Sequence, residues 1–317
     1  MKPSTASLFA SRRVSRFAAF VLLLAASLTL GSPPTLAASR DSLLMDANTL
    51  AHRLASDRQL VVLHVGNPDT YAAGHIPGAR LVTPGMVQRP RGDDPAALLL
   101  ELPQPEALRD QLQAVGIERR SRIVVVFGKD ELPAATRVVY TLDAAGFGER
   151  VSLLDGGQPA WVRAGHPLST ETPAVVPNRL PLPKLRPHAV DIGFLQASSR
   201  ARPFVLIDAR APEFYSGVQR SRYPTGEAPA GHLPGARSLP FSSITKPDLA
   251  LKSRDDLTRL FADAGVKKGD KVVVYCHIGQ QASAVLFAAR LAGIDASLYD
   301  GSFQEWTARG LPVQPSP

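Results

Sequence analysis

Val272-Val-Val-Tyr-Cys-His-Ile-Gly-Gln-Gln-Ala-Ser283 contains the only cysteine of the chain, Cys276. Four β-prone residues run into that cysteine. Beyond it, Ala282, Val285, Leu286 and Ala289 share one helical face, and Gly293 stands where a C-cap belongs. The stretch therefore predicts a buried strand, a tight loop, and a helix starting near Gln281–Ala282. The thiol falls at the carboxyl end of the strand, where open α/β sheets place their ligands. Such a loop turns successive backbone N–H groups inward, and the helix N-terminus adds positive potential. The spacing thus predicts a lowered thiol pKa. Gly279 supplies the conformational freedom the curl needs.

Working outward, the same pattern occurs twice. Val61-Val-Leu-His-Val-Gly-Asn-Pro-Asp-Thr-Tyr71 echoes Val205-Leu-Ile-Asp-Ala-Arg-Ala-Pro-Glu-Phe-Tyr215, and Gly74-His-Ile-Pro-Gly-Ala-Arg80 echoes Gly231-His-Leu-Pro-Gly-Ala-Arg237. Arg122-Ile-Val-Val-Val-Phe127 echoes Lys271-Val-Val-Val-Tyr275. Leu154-Asp-Gly-Gly-Gln-Pro-Ala-Trp161 echoes Leu298-Tyr-Asp-Gly-Ser-Phe-Gln-Glu-Trp306, and these hold both tryptophans. Matched blocks in the same order mark a tandem duplication. Ser169 to Pro187 contains five prolines and little periodicity, as expected of an interdomain linker. The domains are read as 39–168 and 187–317, with a linker over 169–186. Apolar runs at Leu60–Val65, Ile123–Phe127, Phe204–Ile207 and Val272–Tyr275 alternate with helical patterns. Each copy is thus expected to be α/β, a central parallel sheet with helices on both faces.

Composition sets the outer bounds. The 317 residues are 44% hydrophobic and 20% charged, enough to build two packed cores. Residues 1–38 read as a separate object, with Lys2, Arg12, Arg13 and Arg16 preceding a 14-residue apolar run, Phe17 to Leu30. Small residues follow, up to Ala37 and Ala38. That order is a secretory signal, since the run falls short of the roughly 18–20 residues needed to span a bilayer. The expectation is an exported, bacterial periplasmic protein with no stable membrane association after cleavage. Losing four cations takes the net charge from +8 to +4. This mild excess suits small anionic substrates and does not support nucleic-acid binding. A lone cysteine cannot form an internal disulfide, so in an oxidising compartment its retention needs a reason.

The reason comes from the motifs as an ordered set. Asp208-Ala-Arg210 with Glu213-Phe214, then Gly231-His-Leu-Pro-Gly-Ala236, the Cys276-x-x-Gly279 loop, and Tyr299-Asp-Gly-Ser302 with Trp306 closely resemble the rhodanese family. The resemblance runs twice through the chain and implies tandem rhodanese-like domains, the first without a nucleophile and the second catalytic. It implies a sulfurtransferase in which the Cys276 thiolate takes the outer sulfur of thiosulfate. The resulting persulfide then passes it to cyanide or a thiol acceptor. No cofactor or metal is implied. Alternatives are 3-mercaptopyruvate as donor, or a persulfide carrier that docks on one partner protein.

Around Cys276, the candidate substrate-binding residues are His277, Ile278, Gly279, Gln280 and Gln281, with Arg222 from the insert Ser216–Pro229. His277 could add charge as pH falls. Arg222 and its neighbour Arg220 match positions that clamp substrate in mercaptopyruvate-type relatives. The Cys-Gly-Ser/Thr-Gly signature of those relatives is absent, and Glu213 stands where they carry arginine. Both departures favour thiosulfate. Asp208, Arg210, His232 and Arg237 are expected to be structural, and both tryptophans to be core. His75 is weighed as a cleft residue, but its expected aspartate partner is replaced by His64. The first domain has Gly128 in place of the cysteine, in a loop with two acids, Asp130 and Glu131. A cysteine phosphatase would need arginine at residue 282 to clamp phosphate, and that residue is Ala282.

Overall fold

The computed structural model describes residues 40–176, 178–197 and 203–315. The expected signal segment lies outside them. In the first half the strands are β1 (Leu44–Met45), β2 (Leu60–Val65), β3 (Arg80–Val82), β4 (Arg122–Phe127) and β5 (Val151–Leu154). In the second they are β6 (Ala189–Val190), β7 (Phe204–Asp208), β8 (Arg222–Tyr223), β9 (Gly226–Glu227), β10 (Arg237–Ser238), β11 (Lys271–Tyr275) and β12 (Ala296–Tyr299). The helices are α1 (Arg40–Leu43), α2 (Ala47–Ser56), α3 (Pro68–Ala73), α4 (Pro105–Ala114), α5 (Leu132–Leu142) and α6 (Gly157–Arg163), then α7 (Ile192–Ala197), α8 (Pro212–Ser216), α9 (Arg254–Asp263), α10 (Gln280–Ala292) and α11 (Ser302–Ala308).

The two halves repeat one topology. The first sheet has the order β1-β5-β4-β2-β3, and the second β6-β12-β11-β7-β10, its element-for-element counterpart. Every pairing within both sheets is parallel. Parallel strands need crossovers, and the helices that supply them cover the sheet faces, so central strands read as unbroken apolar runs. Ile123 to Phe127 and Val272 to Tyr275 are all buried. The antiparallel pair β8–β9 belongs to the insert that has no counterpart in the first half. The tryptophans keep the repeat too: Trp161 and Trp306 are buried, and each indole N–H donates 2.8 Å to the carbonyl six residues on, of Pro167 and Pro312.

The halves meet through α5 and α10, each buried on nearly every side, as a helix apolar all round must be. Thr136 Oγ1 and Ser283 Oγ lie 3.0 Å apart across this contact, and one apolar core runs from Leu43 through both helices to Leu298. Each half also sends a strap to the other. The Leu99 N–H donates to Gln304 Oε1 at 2.9 Å, and the Leu251 N–H to Asp155 Oδ1 at 2.8 Å. Leu100 and Leu249 in these straps share positive φ, 62° and 69°. Residues 170–188 form no helix or strand among those described. They run along the first half, where the buried Leu180 donates its N–H to Gln113 Oε1 at 2.8 Å.

Candidate active site

β11 ends at Tyr275, in register with Asp208 of β7, so Cys276 is the first residue past the centre of the second sheet. The turn Asp300-Gly301-Ser302 pins this strand end. Ser302 Oγ accepts the Cys276 N–H at 3.2 Å and donates to Tyr299 O at 2.9 Å. The Phe303 N–H closes on Cys276 O at 3.0 Å. Ser302 holds a left-handed backbone at φ 52° to do this, a strained position for a non-glycine residue.

The loop then curls over the sulfur. Gly279 adopts φ 86° and caps α10, which begins at Gln280, one residue earlier than the apolar pattern suggested. Its N–H donates to Cys276 Sγ at 3.2 Å. The amides of Ala282, Ile278, Gln281 and Gly279 all draw the thiol pKa down, but complete burial outweighs them and pushes it up. The expected fall is therefore not what the closed loop gives. Cys276 is 0% exposed, so desolvation of the thiolate acts at full strength. The amide cradle is present, and it is sealed.

His277 points away from any role as a cation. Its Nδ1 meets Ser221 Oγ at 2.8 Å, and its ring stands edge-on to Phe214 at 4.6 Å. Burial, with the Arg210 cation, lowers its pKa to about 4. The idea that it gains charge as pH falls is thus corrected: it is a neutral ring until well into the acid range. Its carbonyl accepts from Tyr223 Oη at 3.1 Å, tying the β8–β9 hairpin to the loop. Ile278 is half-buried and packs against an apolar cluster of the second half that includes Tyr223, Tyr299 and Phe303. Gln280 accepts at its carbonyl from Ser283 Oγ, 2.6 Å away, with its side chain part-exposed. Gln281 Oε1 is buried and makes no hydrogen bond among the described residues. Arg222 is exposed on the hairpin, paired with Glu227. Arg220 is exposed as well.

Behind the loop lies a buried ion pair. Asp208 and Arg210 are 0% and 1% exposed, and the guanidinium bonds the carboxylate at 2.6 Å while lying 3.9 Å over the Phe303 ring. Tyr275 Oη donates to Asp208 Oδ2 at 2.7 Å, so the pair braces the strand end. His75 spends both ring nitrogens on the carbonyls of Tyr71 and Glu171. His64 is buried with neither nitrogen hydrogen-bonded, and burial, then His75, lowers its pKa to about 4.

These two depressed histidines set an acid limit on stability. Above pH 6.5 neither costs anything. As pH falls from 6.5 towards 4 the unfolded chain takes up protons that the folded chain refuses, so stability declines across that window. Each residue contributes on the order of 1–3 kcal/mol. His64→Leu is expected to flatten the fall of melting temperature between neutral pH and pH 4.5. An unchanged slope would mean that His64 is protonated in the folded protein.

The most telling residues of the site were not singled out in the sequence. Arg137, in α5 of the first half, bonds Asp300 Oδ1 at 2.5 Å and also the Leu100 carbonyl. A lone arginine in the apolar run Leu132-Pro-Ala-Ala-Thr-Arg-Val-Val-Tyr140 was the available signal. In the first half, the Gly128 N–H is taken by Glu131 Oε2 at 2.9 Å, so a carboxylate curls into the loop that lacks a thiol. Among the described residues, no group of three or more His, Cys, Asp or Glu side chains converges as a metal site.

Comparisons with known proteins bear on the family and the fold. The rhodanese-like domain model matches residues 46–164 and again 194–309. The chain is 29% identical to a putative thiosulfate sulfurtransferase of Synechococcus elongatus over 296 residues, 90% of this chain and 89% of the relative. It is 30% identical to the thiosulfate sulfurtransferase of Pseudomonas aeruginosa, covering 83% and 93%. It is 29% identical to the sulfur carrier protein TtuD of Thermus thermophilus, covering 77% and 86%. Among solved structures, the anaerobic ergothioneine biosynthesis enzyme from Chlorobium limicola superposes with a TM-score of 0.74 at 23% identity, covering 87% of this chain and 71% of that one. That likeness is one of fold. With the duplicated parallel sheets, the cradle at the end of β11 and both matched segments in place, the chain belongs to the rhodanese family and carries two rhodanese-like domains in tandem.

Proposed function

We propose that this protein is a sulfurtransferase that moves a sulfane sulfur from thiosulfate, through a persulfide on Cys276, to cyanide or a thiol. The observation that carries the reading is the loop curled over the only cysteine of the sequence, whose Gly279 N–H donates to Cys276 Sγ at 3.2 Å and whose Ile278, Gly279, Gln281 and Ala282 amides favour the thiolate. The relatives named thiosulfate sulfurtransferase support the donor. In the first step the Cys276 thiolate attacks the outer sulfur of thiosulfate. The S–S bond of the donor breaks, sulfite leaves with the electron pair, and the negative charge passes to the terminal sulfur of the persulfide. In the second step cyanide attacks that sulfur, thiocyanate leaves, and the thiolate returns. Fixed N–H dipoles stabilise the sulfur anion without having to reorganise. His277, Ile278, Gly279, Gln280 and Gln281 are the residues assigned to meet the donor once the loop opens, with the exposed Arg222 as a source of attraction for the anion. The test is intact mass: thiosulfate should add one sulfur, and cyanide should remove it as thiocyanate. No sulfur gain from thiosulfate or from mercaptopyruvate overturns the reading.

A second reading, a persulfide carrier for one partner protein, draws on the fully buried thiol and on the likeness to a sulfur carrier protein. Turnover with free small acceptors separates the two. We also read the protein as exported to the periplasm on the strength of residues 1–38. Among the described residues, no helix is long and apolar enough to cross a membrane.

The first domain is read as catalytically silent. A Cβ on Gly128 would land 2.5 Å from Glu131 Oε2, so the carboxylate holds the place of a cysteine side chain. Gly128→Cys in a Cys276→Ser background is accordingly expected to take up no sulfur from thiosulfate. Loading of that variant, seen by mass, would show that Glu131 does not block the loop.

A further inference from the structure

α5 is apolar and buried, yet it carries Arg137 at 1% exposure. An arginine there needs a task, because a buried charge is tolerated only when paired. Its Nη1 bonds Asp300 Oδ1 at 2.5 Å, its Nη2 bonds Asp300 Oδ2 at 3.2 Å, and Nη2 also reaches the Leu100 carbonyl. Asp300 opens the turn whose Ser302 hydroxyl pins the Cys276 amide. The pair also stands directly behind the loop. A Cβ on Gly279 would meet Asp300 Oδ1 at 2.7 Å and Arg137 Nη1 at 3.0 Å, and Gly279 is the residue whose N–H donates to Sγ.

The duplication provides an internal comparison. The counterpart of Asp300 is Asp155, which accepts the backbone N–H of Leu251 at 2.8 Å. Counting from the first residue of each helix, Leu132 and Gln280, the counterpart of Arg137 in α10 is the buried Val285. The guanidinium is thus placed on one side of the pseudo-symmetric contact, the side with the thiol.

We propose that Arg137, supplied by the domain without a thiol, is a positioning residue for the Cys276 loop: through Asp300 it fixes the Gly279 amide on the sulfur and cancels a carboxylate packed against that loop. The inference rests on the sulfurtransferase reading for its importance, though not for its test. The titratable and charged groups against the loop are Arg137 from α5, Asp300 after β12 and Tyr223 from β8, with His277 within it and the Asp208–Arg210 pair at the strand end. Tyr223 and His277 are neutral at neutral pH, both held so mainly by burial. Asp208 and Arg210 neutralise each other. The Arg137–Asp300 pair likewise neutralises itself, so removing either member leaves one uncompensated charge packed against the loop that holds Cys276. A like charge disfavours a thiolate and an opposite charge favours it.

The experiment uses the full-length protein and follows Cys276 thiolate absorbance against pH, with Cys276→Ser as baseline. Arg137→Met leaves Asp300 uncompensated and is expected to raise the midpoint by about one unit, slowing sulfur loading from thiosulfate about tenfold at neutral pH. Asp300→Asn leaves the cation uncompensated and is expected to lower the midpoint. The double variant Arg137→Met/Asp300→Asn returns it close to wild type. Opposite shifts from the two single variants are the signature of this role. Unchanged midpoints, or shifts of the same sign from general loosening, overturn it. Should Arg137→Met fail to fold, Asp300→Asn carries the test alone, because only a downward midpoint agrees with the proposal. If the wild type titrates but takes no sulfur, the sulfurtransferase reading fails while the midpoints still decide the role of Arg137.

Discussion

Replacing Cys276 with serine is expected to abolish sulfur uptake from thiosulfate, a loss on the order of 10⁴-fold or more in turnover. The chain holds no second cysteine that could take over. A serine hydroxyl remains protonated at neutral pH and does not form a stable sulfur adduct, so both half-reactions are lost together. The fold should survive. Serine is smaller than cysteine, and its Oγ can accept the Gly279 N–H that now points at Sγ. Far-UV spectra and melting temperature close to wild type, with no added sulfur by intact mass, form the expected result. Residual loading would place the acceptor sulfur elsewhere and remove the basis for reading Cys276 as the nucleophile.

The burial of Cys276 also bears on how a lone thiol escapes oxidation. Oxidants attack the thiolate, and susceptibility follows thiolate fraction and exposure. Here exposure is zero, and burial raises the thiol pKa. With no other cysteine, an internal disulfide is impossible. The same seal means that donor access requires the sulfur to become exposed.

Local signals carried most of the fold. Buried parallel strands are apolar along their whole length, so β2, β4, β7 and β11 could be read almost to the residue, and the duplicated order of blocks carried the repeated sheet. The thiol loop was legible for the same reason, as a strand, a cysteine and a glycine at close spacing. What could not be read depends on distance in the chain. Arg137 and Asp300 are separated by 163 residues, and their meeting is a product of α5 packing on α10. The direction of the thiol pKa was misread because helix-end dipoles are visible in sequence, whereas the depth of burial is a property of the closed fold. Asp208 and Arg210 were legible as structural because they sit two residues apart at a strand end. Glu131 needed the coordinates of its own loop.

Gly279→Ala is the second substitution expected to have a large effect, and two costs combine in it. At φ 86° an alanine is strained, by about 1–2 kcal/mol. Its Cβ would also stand 2.7 Å from Asp300 Oδ1 and 3.1 Å from the Asp300 carbonyl. That carbonyl belongs to the turn that pins Cys276, so it cannot yield without disturbing the strand end. Either the loop lifts its amide from the sulfur or the turn gives way. In both cases the cradle loses a donor, and loss of one preorganised donor of this kind costs roughly 10²–10³-fold in rate. The expected result is a persulfide-forming rate at least about 10²-fold slower, with stability reduced by roughly 2–4 kcal/mol. Gly78→Ala provides the control, because Gly78 has φ 76° and nothing within 4 Å of its Cβ position. It carries the backbone strain alone, far from the thiol, and should lower the melting temperature slightly without slowing sulfur loading. If both variants behave alike in single-turnover loading and in thermal melts, the close approach of Gly279 to Asp300 and Arg137 has no functional weight. A deep loss confined to Gly279→Ala would tie sulfur transfer to the packing of one backbone amide between the two domains.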